Sequence, residues 1–314
     1  MRTIRLALAA LAVLLVVATA GLLWFVTRQQ EPDAAYRPRI PSPTWTSERP
    51  IVLVDNGHWN VHSAERGYGP FTRLLTADGY TVVSGPATAQ ALSGVRVLVV
   101  ANALGFRGVV RQLASIAGLS IDALAADAFA ADETAAIERW VHGGGSLLLV
   151  ADHAPAGRAA ASLAARFGVT MRDGFVVDAA QSEEGAPAML VFSRENGLLG
   201  SHPIVDGTAI ESRINRIVTF TGQALDGGRA TPLLVLSPAA MELPRRGAPE
   251  AERLSVAGLS QAVALEHGRG RVVVAGEAAF LTSQLFGERR LGLQWPGTDN
   301  ERFARNVMAW LAGG

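Results

Sequence analysis

The sequence predicts an α/β domain in which helices cover both faces of a mainly parallel sheet. Short apolar runs, the first at residues 51–54, lack the polar alternation of half-exposed strands, which is typical of strands buried on both faces. Segments with helical periodicity lie between these runs. Because strands that alternate with helices favour a parallel sheet with crossover helices, we expect residues 51–314 to form one such domain.

The elements can be assigned in order along this domain. The first strand ends in an Asp-Asn-Gly turn, and further strands are predicted at residues 81–83, 95–101 and 146–151. Helices are predicted at residues 69–78, 132–142 and 158–167, with Asp132 in position to cap the second of them. Residues 173–250 are expected to form a less regular, inserted region with strands at 216–220 and 233–236. The chain closes with a hairpin, 262–266 and 271–275, and a helix at 300–311.

Residues 6–26 are predicted to be a transmembrane anchor that follows a short cytoplasmic segment, residues 1–5. These 21 positions carry no charge, and as a helix they would extend about 30 Å, the thickness of a bilayer's hydrocarbon core. A cleaved signal peptide is the alternative, because Ala18-Thr19-Ala20 offers a cleavage site, but the apolar run continues beyond it. Both alternatives predict a periplasmic or extracellular domain, and the anchor makes the protein a single-pass membrane protein.

Residues 27–50 are predicted to be a linker. Five prolines in this segment favour an extended, semi-rigid chain that would lift the domain off the membrane surface.

The composition excludes several classes of function. The chain has no cysteine, which excludes disulfides, a thiol nucleophile and a cysteine-ligated zinc. All 28 basic residues are arginine, the formal net charge is zero, and no basic stripe is present, so we expect no nucleic-acid partner. Residues 143–145 are glycines between a helix and a strand, whereas phosphate loops run from strand to helix, so we expect no nucleotide cofactor.

A first polar cluster follows the first predicted strand. Asp55, His58 and His62 supply one carboxylate and two imidazoles within eight residues, and Asn60 lies among them. Such groups bind metal ions or transfer protons. The alternative is structural, with a tight Asn-Gly turn and side chains that bond to the backbone.

A second cluster, Asp152 and His153, ends the fourth predicted strand. Because the carboxyl ends of parallel strands lie at the same edge of a sheet, we expect both clusters to share one crevice. Asp152 would act as a general base or orient His153, as carboxylates do for metal-bound histidine. The alternative is that Asp152 caps the next helix, with Pro155 near its first position.

A third candidate, Glu277, follows the strand of the last hairpin. Its position suits an acid/base role at the same edge, and the alternative is a carboxylate in a solvated loop or first helical turn. Neutral hydrogen bonds to a ligand are expected from Asn60, Gln284 and Asn300.

Three segments carry a family resemblance. They are Trp-Val-His-Gly-Gly-Gly-Ser-Leu-Leu-Leu-Val-Ala-Asp-His at 140–153, Gly-Arg-Gly-Arg-Val-Val-Val-Ala-Gly-Glu at 268–277, and Asp-Asn-Glu-Arg-Phe-Ala-Arg-Asn-Val-Met-Ala-Trp at 299–310. They resemble class I glutamine amidotransferase-like domains, especially the ThuA-like branch, and the Asp55-x-x-His58-x-x-x-His62 start is similar to a membrane-anchored bacterial subgroup. The resemblance covers nearly all of residues 51–314 and implies a flavodoxin-like three-layer sandwich. Amidotransferases carry a nucleophilic cysteine where this chain has Asp152 and His153, so glutamine amidotransferase activity is not expected.

Two functions follow from these observations. The first is a metal-dependent hydrolase for an envelope or glycan-type substrate, in which a divalent metal, zinc above all, activates water. Its ligands would be Asp55, His58, His62 and His153, with Asp152 and Glu277 as catalytic acid/base groups. The second is a non-catalytic ligand-binding or scaffolding domain in an envelope or transport-associated complex, in which the Asp and His side chains form a hydrogen-bonded network. The expected partners are the membrane, a small-molecule or glycan ligand, and an envelope protein.

Overall fold

The computed structural model describes residues 31–106 and 127–313. The strands are β1 (Glu31–Pro32), β2 (Ile51–Asp55), β3 (Thr81–Gly85), β4 (Val97–Ala101), β5 (Ser146–Val150), β6 (Thr170–Met171), β7 (Phe175–Val177), β8 (Met189–Ser193), β9 (Arg216–Phe220), β10 (Leu225–Asp226), β11 (Thr231–Val235), β12 (Met241–Leu243), β13 (Leu254–Ser255), β14 (Ser260–His267), β15 (Gly270–Ala275), β16 (Ser283–Phe286) and β17 (Arg289–Gly292). The α-helices are α1 (Gly69–Ala77), α2 (Ala131–His142), α3 (Ala156–Ala165), α4 (Pro203–Asp206) and α5 (Asn300–Ala312). Short 3₁₀ turns occur at Glu183–Gly185, Ile210–Ser212, Glu250–Glu252 and Ala279–Leu281.

A mainly parallel sheet forms the centre of the fold, as the sequence predicts. Its parallel strands lie in the order β3-β2-β4-β5-β15, which is the flavodoxin-like order. The antiparallel strand β14 extends the sheet beyond β15, and β10, β11 and β6 follow it. The chain order reverses between β2 and β4, so a crevice for a ligand is expected at their carboxyl ends.

Helices cover both faces of this sheet, because the central strands are apolar on both sides. Alternate residues of β2 show the division: Val52 and Val54 belong to one core, and Leu53 belongs to the other. The first core includes apolar residues of α1 and α5, and the second includes those of α2 and α3. The predicted three-layer arrangement is therefore present in the described residues.

The start of α2 differs from the prediction. Asp132 lies inside the first turn, and the capping position is occupied by Ala130. Its backbone N–H donates to Glu133 Oε2 at 2.7 Å, so the carboxylate three residues later completes the first turn.

The region predicted to be irregular adds small antiparallel sheets to the first core. One consists of β7, β12 and β13, and another of β8 and β9. Apolar side chains from these strands, among them Val176, Phe192 and Ile217, pack in the same core as α1 and α5. The region therefore thickens one face of the sandwich beside the carboxyl edge of the sheet.

Residues 31–50, which the sequence predicts to be an extended linker, pack against the domain. Strand β1 pairs with β16. The buried Tyr36 belongs to the first core and donates its hydroxyl to Glu301 at 2.6 Å. Thr44 donates from both its backbone N–H and its hydroxyl to the fully buried Asp78. Isolated aromatic and polar side chains thus hold a proline-rich segment that lacks any apolar periodicity.

The predicted anchor, residues 6–26, lies outside the described residues. Among residues 31–106 and 127–313, no helix has both the length and the apolar character needed to span a bilayer.

Candidate functional site

The carboxyl ends of the parallel strands gather polar side chains at one edge of the sheet. Asp55 is the last residue of β2, and Asn102 directly follows β4. Asp152 and Glu277 each lie two residues beyond the last paired positions of β5 and β15, Val150 and Ala275. The sequence predicted this grouping from strand order alone, apart from Asn102, which the same rule would have identified.

Asp55 and His58 form a buried pair at this edge. His58 Nδ1 lies 2.8 Å from Asp55 Oδ2, and the other oxygen of Asp55 accepts the backbone N–H groups of Gly57 and Ala87. Burial on its own lowers the pKa of His58, but the hydrogen bond and charge of Asp55, helped by Glu133, raise it above its ordinary value. The Phe129 ring covers the imidazole, with ring centroids 4.1 Å apart.

Two asparagines extend this pair into a network across three strands. Asn60 Oδ1 accepts the backbone N–H of His58 at 3.2 Å, and Asn60 Nδ2 donates to the carbonyl of Ala101. Asn102 Oδ1 accepts the backbone N–H of Asp152 at 2.7 Å. Side-chain hydrogen bonds therefore reinforce the backbone pairing at the ends of β2, β4 and β5.

Two residues of this edge adopt the left-handed backbone region. Trp59 has φ 54° and Asn102 has φ 47°. Asparagine tolerates this region, but a bulky aromatic residue rarely occupies it, at a cost of about 1–3 kcal/mol. The buried neighbours His58 and Asn60 fix the backbone on both sides of Trp59, and the Trp59 side chain is 49% exposed. Such strain is typical of ligand-binding segments.

The other two predicted metal ligands lie apart from the Asp55–His58 pair. The His62 ring stacks on Tyr68, with centroids 4.8 Å apart. The His153 ring stacks on Phe175 at 4.2 Å, and its Nδ1–H donates to the carbonyl of Ala154. No group of three or more His, Asp or Glu side chains within the described ranges is placed to hold a metal ion. Metal binding by these residues stays a prediction that metal analysis of the protein can test.

Asp152 and Glu277 place two carboxyl groups on neighbouring strands. Asp152 does not cap α3, whose capping residue is Pro155; its Oδ1 instead accepts the N–H of His153 at 2.8 Å. Glu277 is 1% exposed, so it is not the solvated carboxylate that the sequence allowed. Its oxygens accept the N–H groups of Ala279 and Phe280 at 2.6 and 2.9 Å.

The environment of Glu277 favours its protonated form. Complete burial and the charge of Asp152 raise the pKa of the Glu277 carboxyl well above its usual range, against the opposing effect of the two N–H donors. The neighbouring Tyr68 is fully buried, and burial together with the two carboxylates raises its pKa well above the ordinary value. Its hydroxyl donates to the carbonyl of Ala278 at 3.2 Å. Nothing in the sequence pattern indicated that Tyr68 lies here.

The sequence matches no protein-family model and no curated protein. Solved structures do match it. The N-terminal domain of mmIFT52 is 15% identical over 84% of this chain and 98% of that chain, with a TM-score of 0.58. A cytoplasmic protein of Salmonella typhimurium LT2 is 16% identical over 83% and 98%, with a TM-score of 0.44. A ThuA-like protein from Bacteroides uniformis is 11% identical over 87% and 94%, with a TM-score of 0.42. The likeness to the mmIFT52 domain concerns the fold alone.

Gln284 and Asn300, predicted to bind a ligand, lie outside the network of Asp55, His58, Asn60, Asn102 and Asp152. Asn300 is fully buried and bonds to the backbone of Val218 and Gly292, so it joins α5 to β9 and β17. Gln284 lies on β16, where it pairs with Pro32 of β1. The hydrogen bonds of Asn300 thus support the packing of α5, and ligand binding by either residue stays a prediction.

A cleft of about 580 Å³ lies elsewhere, between residues 39–44, residues 203–212 and α5. Its charged side chains are largely bonded to other protein groups: Arg302 to Asp299, and Glu301 to Tyr36. None of the residues of the carboxyl edge lines it. We therefore place the candidate site at the carboxyl edge, where the polar network and the strained Trp59 coincide.

Proposed function

We propose that the chain is a membrane-anchored, extracytoplasmic binding protein whose α/β domain takes a ligand at the carboxyl edge of its sheet. The observation that carries this proposal is the network that joins Asp55, His58, Asn60, Asn102 and Asp152. Their hydrogen bonds go to one another and to the backbone, and they hold Trp59 outward in a strained conformation. The rigid placement of an exposed aromatic residue is more typical of a ligand-binding site than of a catalytic site.

The same groups give little support to catalysis. A metal ligand or a general base must present a lone pair to the crevice, but Asp55 already accepts three N–H groups. Glu277 is almost completely buried and bonds to a turn. These side chains therefore build the edge rather than act on a substrate.

The exposed groups at the edge indicate the class of ligand. The Trp59 indole is accompanied by Val61, which is also partly exposed, and by the exposed Glu133 on α2. An aromatic face beside carboxylate and amide groups suits a ring with an apolar face and a polar rim, as in a glycan. The predicted location outside the cytoplasm makes soluble envelope glycan the first ligand to test, and an envelope protein partner the second.

Titration of the full-length protein into fluorescently labelled soluble peptidoglycan fragments should change the fluorescence anisotropy of the fragments. The Trp59→Gly variant should lose most of this change and keep its fold, because glycine adopts a positive φ without strain. The matched control is Trp140→Phe, which removes a partly buried indole from α2 and should bind as the unmodified protein does. Equal binding by the native chain and the Trp59→Gly variant would contradict the proposal.

One observation favours a hydrolase as a second candidate. Asp152 and Glu277 directly follow neighbouring strands, and burial together with the charge of Asp152 raises the pKa of the Glu277 carboxyl, as is typical of paired catalytic carboxyl groups. Asp152 is the accessible member, with a side chain that is 21% exposed. In this alternative Asp152 would accept a proton from water. The protonation state of Glu277 would determine the charge of the group beside Asp152.

Metal content separates the binding protein from the metal-dependent hydrolase. Purified full-length protein is expected to contain far less than one zinc or other transition metal per chain, and added Zn²⁺ should not raise its Tm. The His58→Ala variant should be less stable than the native chain without any loss of metal. One tightly bound metal per native chain that is absent from His58→Ala would instead support the hydrolase.

A further inference from the structure

We propose that the turn of the β16–β17 hairpin rests on the membrane surface, with the Phe286 ring in the interfacial layer of the bilayer. This inference rests on the anchor proposed above. The sequence predicts a linker that lifts the domain off the membrane. We instead expect the domain to contact the membrane through residues 286–290.

The register of β1 sets the direction of the chain. β1 runs antiparallel to β16, with Glu31 opposite Leu285 and Pro32 opposite Gln284. The amino-terminal end of β1 therefore points toward the hairpin turn that follows Phe286. An anchor that precedes residue 31 is connected to the domain on the side of this turn.

The short chain between the proposed anchor and β1 limits the distance between the bilayer and the hairpin turn. Five residue steps separate Val26, the last residue of the apolar run, from Glu31. Even fully extended, five residues reach at most about 18 Å. The polar headgroup layer itself occupies roughly 5–8 Å of this distance. The turn therefore lies at the membrane surface or directly above it.

The segment that follows β1 is too firmly bound to act as a spacer. The Asp33 N–H donates to the carbonyl of Ser283 at 2.7 Å, and Arg73 donates to the carbonyls of Asp33 and Tyr36. The Tyr36 hydroxyl is bonded to Glu301 in α5. These bonds tie residues 33–36 to β16, α1 and α5. The orientation of the domain relative to the membrane is therefore set by the point at which the chain enters β1.

The hairpin turn has the side chains that suit this position. Phe286 is 57% exposed, although a large aromatic ring in a soluble domain normally finds a partner. Aromatic rings favour the interface of a bilayer. The charges of the turn nearly cancel, because the negative charge of Glu288 offsets the positive charge of Arg290, and Arg289 pairs with Glu184 at 2.6 Å. The contact therefore depends on the ring, and we expect it on zwitterionic and anionic bilayers alike.

The absence of cysteine from the chain allows a direct test. Single-site variants Phe286→Cys, Ile210→Cys and Leu254→Cys of the full-length protein are labelled with an environment-sensitive dye. The two controls replace apolar residues that are 89% and 52% exposed, so all three labels are accessible. The proteins are reconstituted into phosphatidylcholine vesicles, with and without phosphatidylglycerol, that contain a lipid with a spin label near its headgroup. Flotation with the vesicles after an alkaline wash reports the anchor separately.

The label at position 286 is expected to be quenched about twofold or more relative to both controls, in both lipid mixtures, because the interface layer is only about 5–10 Å deep. Proteins that float with the vesicles but show equal quenching at all three positions would overturn the hairpin contact and leave the anchor intact. Proteins that do not float would overturn both. Quenching at position 286 only with phosphatidylglycerol would show a contact driven by lipid charge and would overturn the proposal.

Discussion

Replacing Asp55 by alanine is expected to destabilise the fold by about 3–5 kcal/mol, the range for removal of one partner from a buried charged pair. Asp55 is fully buried and accepts N–H groups from Gly57, Ala87 and the His58 ring. Alanine leaves the imidazole buried without its partner and leaves two backbone donors unsatisfied. Urea denaturation of the full-length protein, followed by fluorescence, measures the change in the free energy of unfolding.

Two further variants test the reason for this effect. Asp55→Asn keeps an oxygen for the two backbone donors but replaces the charged acceptor beside His58 Nδ1 by a neutral amide NH2 group, so a cost of about 1–2 kcal/mol is expected. Asp226→Ala removes an exposed carboxylate of β10 and should change stability by less than about 0.5 kcal/mol. If Asp55→Ala and Asp226→Ala had equal effects, Asp55 would not be the centre of the network.

The central strands and the longer helices of the domain could be predicted because each buried central strand is a continuous apolar run. The helix predicted at 300–311 is observed at Asn300–Ala312, and the strand predicted at 216–220 is observed at those residues. The docking of residues 31–50 could not be predicted in this way. It depends on Tyr36 and on the buried carboxylate of Asp78, whose partners are distant in sequence.

The location of the candidate site was predictable, but its internal pairing was not. Strand order placed Asp55, Asp152 and Glu277 at one edge, as observed. The directions of His62 and His153 depend on loop paths that carry no periodic pattern. Each ring lies against an aromatic neighbour, Tyr68 or Phe175, and a list of metal-binding residue types does not reveal such contacts.

The Asp152→Asn variant is expected to be more stable than the native protein at pH 8, by about 1–3 kcal/mol for two charges on neighbouring strands. Asp152 and complete burial raise the pKa of Glu277 well above its usual range near 4.5. A carboxyl with a raised pKa contributes stability that is fully present below its unfolded value and is lost as the pH rises through its folded value. Removing the Asp152 charge lowers the folded pKa of Glu277 and so reduces this loss.

The advantage of Asp152→Asn should therefore shrink as the pH falls and vanish near pH 4, where Glu277 is protonated in both proteins. Thermal denaturation at intervals between pH 4 and pH 8 measures it, with Asp226→Asn as a control that should show no such trend. Asparagine can still accept the N–H of His153, so the local hydrogen bond is kept. An effect of Asp152→Asn that is equal at pH 4 and pH 8 would mean that Asp152 acts on stability through geometry. The two carboxyl groups would then not be electrostatically coupled, and the acid/base pair on which the hydrolase alternative depends would lose its support.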